Sequence, residues 1–489
     1  MNNRERRSSA SNGYSRRTLL GGAAAAAAWA SLPVSAHAQK RKRFGPNDRV
    51  NVAAIGAGGK GAGNMASLLS QNIVAACDVD FDRVGKQMLD KTGALKADRV
   101  ELKAAYDKAE RFGDYRRMFD KRKDIEAVVI ATPDHHHALV ARMAMERGIH
   151  VYVQKPLTCT IREARMLLDL SRKYPTLITQ MGNQGHSGDD GRRVIELIRG
   201  GAIGKVRDVQ IWTNRPIWPQ GVARPAALPA PAGLDWDTWL GPADVDWGYH
   251  PDYAHFNWRG WVPFGSGALG DMGAHLMDFP VWALEPGLPT RIETRHTLWG
   301  GDTNAGDAKR PEELASYPVG SMTLYEFANA PIARDGGGPL NMTWYDGGLM
   351  PPTPRGLPVG RIMEPVGGVL FIGDKGMLIH DTYGEKPTVI GEEALARAAA
   401  IPQSLSRVAG SSGGHEMNWI RAIRGEEKIS SPFEVSAPLT ETMLLGIVAL
   451  RADQPIDYDG AAGRITNAPD ANSLLDRPYR KGWELQAGL

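Results

Sequence analysis

Val50-Asn51-Val52-Ala53-Ala54-Ile55-Gly56-Ala57-Gly58-Gly59-Lys60-Gly61 decides the fold: a short apolar run feeds directly into a glycine-rich turn, and a helix-compatible stretch through Leu68 and Leu69 follows. Strand, glycine turn and helix in that order make a dinucleotide site. Gly56 permits the tight turn, Gly58 lets backbone approach a pyrophosphate, and Gly61 lets helix pack on strand, with Gly59 in the same cradle. Glycines alone are a weak sign. The next apolar run, 73–77, strengthens it by ending in Asp78, where a carboxylate can accept from both hydroxyls of an adenosine ribose. Such a carboxylate repels a 2′-phosphate and favours NAD, although Arg83 close by leaves room for NADP.

Outward from this unit the alternation continues, with strands expected at 127–131 and 149–153, a helix at 138–147, and a further strand at 177–181. The expected fold class is α/β: a doubly wound parallel sheet, with ligand-facing residues beyond the carboxyl ends of its strands. Thr132-Pro133-Asp134-His135-His136-His137, Gln154-Lys155-Pro156 and Gly182-Asn183-Gln184 occupy those ends. The three histidines invite a metal reading, but adjacent residues point in different directions and no Cys or Glu pair accompanies them, so no metal site is expected. Thr160 and Glu163 have capping-box spacing for a following helix.

The 489 residues are too many for one ordinary domain, and two cysteines, Cys77 and Cys159, leave no disulfide framework. Residues 1–38 hold five arginines and one glutamate, so the formal charge of +3 becomes slightly negative without them, and general nucleic-acid binding has no electrostatic footing. Arg16-Arg17, the alanine run 23–28 and Ala36-His37-Ala38 have the order of a twin-arginine export signal cleaved after Ala38. That segment is too short and too rich in Ala and Gly for a stable membrane anchor, and it predicts a periplasmic protein.

Gly56-Ala57-Gly58-Gly59-Lys60-Gly61, Ala131 to His137, Gly148-Ile149-His150-Val151, Gln154-Lys155-Pro156 and Gly267-Ala268-Leu269-Gly270-Asp271-Met272-Gly273-Ala274-His275 resemble, in order, the signatures of the Gfo/Idh/MocA oxidoreductases. The resemblance covers residues 48–455, and it departs at Gln154, where the family has glutamate. It implies a Rossmann domain (48–182), a C-terminal α/β domain with a large, mostly antiparallel open sheet (183–455, with a Trp/Pro-rich insertion at 214–262) and a tail (456–489). The end of strand–helix alternation after residue 200 supports this independently, with candidate strands at 206–213, 291–299, 321–327, 340–345, 368–372 and 377–380 and late helices at 415–424 and 439–451.

The family's activity, implied here, is hydride transfer between NAD(P) and a carbinol carbon of a sugar, glycoside or polyol, with tightly held cofactor. Removing hydride from such a carbon requires loss of the hydroxyl proton, hence a group titrating near neutrality and a cation at the developing oxyanion. By resemblance His275 is the first and Lys155 the second. Asp271 stands four residues before His275, on one helix face, where its carboxylate can orient or charge-stabilise the imidazole. Thr132, Pro133, His137, Gln154, Asn183, Trp258 and Arg259 join the cofactor site by the same resemblance, which also implies a homo-oligomer assembled through the C-terminal sheet. Seven tryptophans between 212 and 261 could line a saccharide cleft by stacking on sugar C–H faces, although core packing of the insertion explains most of them. His186, Tyr249, His250, Tyr253 and Trp261 are substrate-side candidates. Two alternatives remain. One is a redox-neutral glycosidase or lyase that oxidises a ring hydroxyl transiently. The other is a non-catalytic sugar-binding protein, against which the retention of Lys155, Asp271 and His275 argues.

Overall fold

The computed structural model describes residues 44–45, 48–299, 314–332 and 337–484; Arg16, Arg17 and Ala38 of the expected export signal lie outside them. Strands β1 (Asn51–Ile55), β2 (Asn72–Cys77), β3 (Glu110–Phe112), β4 (Ala127–Ile130), β5 (His150–Val153) and β6 (Thr179–Met181) form one sheet in the order β3-β2-β1-β4-β5-β6. All its pairs are parallel. Helices cover both faces, so the central strands read as unbroken apolar runs, and all four residues of β4 are buried. Strand order reverses between β1 and β4, opening a crevice beyond their carboxyl ends.

The glycine turn is as tight as its sequence demands. Gly56 has φ +80°, and a Cβ there would stand 2.6 Å from the Ala131 carbonyl oxygen; on Gly61 it would stand 1.8 Å from that of Gly56. The helix Gly59–Ala66 therefore lies against the strand ends at a distance no side chain permits. The helix expected at 138–147 begins earlier and runs Asp134–Met145, because Pro133 at its N-cap needs no N–H partner. All three histidines thus fall in a buried first turn. The capping box of Thr160 and Glu163 is present in full.

The second sheet has nine strands in the order β13-β12-β11-β7-β10-β9-β8-β14-β15. These are β7 (Val206–Thr213), β8 (Arg291–His296), β9 (Ser321–Phe327), β10 (Leu340–Tyr345), β11 (Gly367–Gly373), β12 (Met377–Asp381), β13 (Thr388–Ile390), β14 (Ile456–Asp459) and β15 (Arg464–Ile465). The β7–β10 pair alone is parallel among the described pairings of this sheet. The segment expected as a tail from 456 instead supplies β14 and β15, because alternating Ile456 and Tyr458 bury against the sheet edge. Its last described stretch crosses back to the first domain, where Arg477 and Tyr479 both bond Glu163.

Two late helices tie the domains together. His415–Arg424 places Trp419, Ile420 and Ile423 in one core with Val50, Val52 and Ala54. Phe433–Ala452 begins before the expected 439, running through Pro438. It is long and apolar enough to cross a membrane, yet it is largely buried between the helices Ile161–Lys173 and Gly267–Leu276.

Candidate active site

A cavity of about 470 Å³ lies between the parallel-sheet crevice and the second domain. Twelve of the sequence-derived candidates line it: Gly56, Gly58, Gly59, Asp78, Thr132, Pro133, Gln154, Lys155, Trp258, Arg259, Asp271 and His275. They come from the ends of β1, β2, β4 and β5, from the short turn Asn257–Gly260 and from the helix Gly267–Leu276.

At one end the features fit a dinucleotide. Gly58 caps the helix Gly59–Ala66, so its first amides and the helix dipole favour phosphate charge. Asp78 accepts from the Gly58 amide at 3.1 Å and from the Asp80 amide at 3.0 Å. Burial nevertheless pushes its carboxyl up to about 6 against those amides. The insertion closes this end, since the His255 imidazole lies 2.8 Å from Asp80 and the Asp235 amide bonds the Val79 carbonyl.

At the other end stand the groups for proton transfer. Lys155 donates to the Asp271 backbone carbonyl and to its carboxylate, each at 2.7 Å, which leaves a third N–H for the cavity. Arg259 donates to the same carboxylate at 2.9 Å. Burial alone would raise the Asp271 carboxyl, but Lys155 and Arg259 hold it far below the usual range. His275 is buried, with Nδ1 unpartnered among the described residues and its ring edge-on to Tyr383 at 4.9 Å. Burial, reinforced by Lys155, lowers its pKa well below the ordinary value, so the imidazole is neutral but, without a substrate beside it, a weaker base than the near-neutral group expected from the sequence. The His275 imidazole donates no hydrogen bond to the Asp271 carboxylate among the described residues, so Asp271 does not orient the ring. Helical spacing puts both on one face, but two cations from distant segments take the carboxylate, which acts on the imidazole only through space.

Eight candidates lie elsewhere, among them Tyr249, packed on Trp236, and His250, packed on Tyr253. Gly61 packs the helix. His137 sits one layer behind the wall, 2.8 Å from the Pro156 carbonyl and 3.0 Å from that of Thr132, bracing the two loops that carry the site. His135 and His136 are likewise held by backbone carbonyls, so the histidine run is a buried brace. Asn183 donates to Asp278 at 3.1 Å, and His186 pairs with Asp278 at 2.9 Å while stacking on Trp282, both away from the cavity. Tyr253 and Trp261 are fully buried with Trp239, Trp247 and Phe264 in the insertion's own core, so the saccharide-cleft expectation fails for them. Their aromatic faces meet each other instead, Tyr253 against Trp261 at 4.9 Å. Trp218, Trp239 and Trp258 of the tryptophan cluster do line the cavity, as do Arg215, Phe256 and Tyr383, which no motif announced.

Gln154, which departs from the family pattern, donates to Asn64, which donates to Glu416 from the late helix. The missing carboxylate is thus present at two removes, while the charge of Lys155 is balanced by Asp271.

Residues 50–181 match the model of the Gfo/Idh/MocA oxidoreductase family, NAD-binding Rossmann fold, and residues 205–293 match that of its C-terminal alpha/beta domain. Among curated proteins, a glycosyl hydrolase family 109 protein of Saccharopolyspora erythraea is 29% identical over 40% of this chain and 45% of its own. A family 109 protein of Bacteroides fragilis is 36% identical over 28% of each. The chain thus spans less than half the length of these relatives. Among solved structures, the WlbA dehydrogenase of Bordetella pertussis, in complex with NADH and UDP-GlcNAcA, superposes with a TM-score of 0.54 at 13% identity, covering 84% of this chain and 99% of that one. The aldose-aldose oxidoreductase of Caulobacter crescentus gives 0.51 at 12% identity, with 84% and 100% covered. At such identities the likeness is one of fold.

Proposed function

Because the chain carries both domains of the Gfo/Idh/MocA oxidoreductases, we propose that it is an NAD-dependent enzyme moving hydride between the nicotinamide and a carbinol carbon of a sugar, glycoside or polyol. One observation carries the reading: Lys155 with an unspent N–H and neutral His275 line the same cavity as the glycine cradle and Asp78. The Rossmann domain binds NAD, and NAD when bound supplies the acceptor or donor of hydride. The rest falls to the chain. When NAD is bound, Asp78 would hold the ribose hydroxyls and the N-terminus of the helix Gly59–Ala66 would balance the pyrophosphate charge. Lys155 hydrogen-bonds the substrate oxygen and steadies negative charge developing on it, and His275 takes or returns the hydroxyl proton. Asp271 fixes Lys155 and balances its charge.

The curated relatives favour a second reading, a redox-neutral glycosidase that passes through a transient keto sugar with the same residues. Purified protein should retain NAD(H), visible by mass spectrometry and absorbance. Reduced nicotinamide accumulating on a free sugar supports a dehydrogenase. Release of an aglycone with no net change in the nicotinamide supports the glycosidase. Retained cofactor with neither outcome across a broad carbohydrate panel would refute both.

The proposal extends to location and assembly. Arg16-Arg17 and the Ala36–Ala38 site support twin-arginine export to the periplasm, and the family resemblance supports a homo-oligomer formed through the nine-stranded sheet. Replacing both arginines with lysine should hold the protein in the cytoplasm with its signal uncleaved.

A further inference from the structure

Lys155, Arg259 and Arg215 converge on the carboxylate of Asp271. Lys155 and Arg259 take Oδ1 at 2.7 and 2.9 Å, while Arg215 stands 4.0 Å from Oδ2, too far for a hydrogen bond. One carboxylate faces three cations. The other acid in this wall, Asp134, is too buried to cancel the excess, because desolvation raises its carboxyl to about 7 and leaves it partly neutral at physiological pH.

Arg215 is the cation with donors to spare. It follows β7 directly, is about one-fifth exposed, and lines the cavity beside Tyr383. Its side chain makes a single described hydrogen bond, from Nη1 to the neighbouring Asn214 amide oxygen. A guanidinium presents five N–H groups in a planar fork matched to a carboxylate, so most of this fork is unspent in the wall that Lys155 and His275 also line.

We propose that the substrate is an acidic sugar, a uronate-type carbohydrate whose carboxylate is bound by Arg215 while a hydroxyl of the same ring reacts between Lys155 and His275. Placement decides that the acid and the reacting carbon share one ring. Lys155 and Arg215 flank the two oxygens of a single carboxylate, so the groups they bind lie within the span of one sugar ring and its substituents. The inference rests on the oxidoreductase reading above and narrows it to one substrate class.

The test uses the purified enzyme with bound NAD and paired substrates: glucuronate against glucose, galacturonate against galactose, and glucose 6-phosphate as a different anion. Wild type should prefer the acid of at least one pair, since hydrogen bonds to a charged partner are worth about 10- to 100-fold. Arg215→Gln should reduce the acid-to-neutral ratio of kcat/KM by that factor, chiefly through KM, and Arg215→Lys should recover part of it. Neutral sugars turned over at least as well as their acids by wild type would overturn the inference and leave the oxidoreductase reading intact. Preference for the phosphate over both acids would also overturn it. So would loss of NAD affinity in Arg215→Gln at an unchanged ratio, which would assign the arginine to the cofactor's pyrophosphate. Wild type inert to every carbohydrate tested, with cofactor present, would instead strike the reading on which the inference rests.

Discussion

His275 is neutral in the wall it shares with the ammonium of Lys155, and the proposed function gives it the substrate's hydroxyl proton to take or return. General base catalysis contributes about 10²- to 10⁴-fold, so His275→Ala should slow single-turnover reduction of bound NAD on that scale with cofactor affinity nearly intact. Wild-type rates in the variant would return the histidine to a packing role. At Asp78 the question is cofactor choice. Asp78→Ser removes the carboxylate that would repel a 2′-phosphate and should move preference toward NADP in paired titrations, whereas a wild type that already binds NADP as tightly as NAD would contradict the assignment. Both residues were legible in the sequence because each sits at a fixed offset from a motif. The partner of Asp271 was not. Spacing along a helix reports which residues share a face, but it carries no trace of Lys155 and Arg259, which approach from β5 and from the insertion.

Among the elements, the parallel strands were the easiest to read, since burial on both faces forces runs of apolar residues. Five strands of the first sheet and six of the second, those at 206–213, 291–296, 321–327, 340–345, 367–373 and 377–381, follow from pattern alone, although 291–296 is shorter than expected. What escaped were β3, β13 and β15, too short to show a period, β14, taken for part of a tail, and the insertion, whose tryptophans say that large surfaces are buried without saying against what. The last described segment was the largest omission. Arg477, itself partly exposed, reaches the buried Glu163 carboxylate at 2.8 Å and the His135 carbonyl at 2.6 Å. Breaking a buried pair by deleting one partner costs about 3–5 kcal/mol, so Arg477→Met should lower the melting temperature by several degrees more than an exposed arginine such as Arg172. Equal shifts for the two variants would show that the crossing contributes nothing.

Across the whole molecule, buried imidazoles set the response to acid. His135, His136, His137, His275, His380 and His415 are all lowered by burial, whereas Asp78, Asp134 and Asp346 are raised by it. The histidines contribute stability that is whole above their unfolded pKa of about 6.5 and is lost as pH falls toward their folded values. The aspartates work in the opposite sense, favouring the fold at low pH and losing that contribution as pH rises from about 4 through 6 to 7. Six outweigh three, so thermal stability should drop between pH 7 and 5 by on the order of a few kcal/mol. Asp134→Asn, which removes an opposing group, should steepen the drop; a melting temperature that is flat or rising on acidification would reject this balance. The crossing at Arg477 also bears on the order in which the polypeptide is made. Glu163 leaves the ribosome 314 residues ahead of the arginine that compensates it, and β1 waits similarly for Trp419. Until residue 477 is made, the Glu163 carboxylate has, among its described partners, only the amides of Cys159 and Thr160 to accept from, so the first domain acquires its last buried ion pair after every one of its own strands has been synthesised.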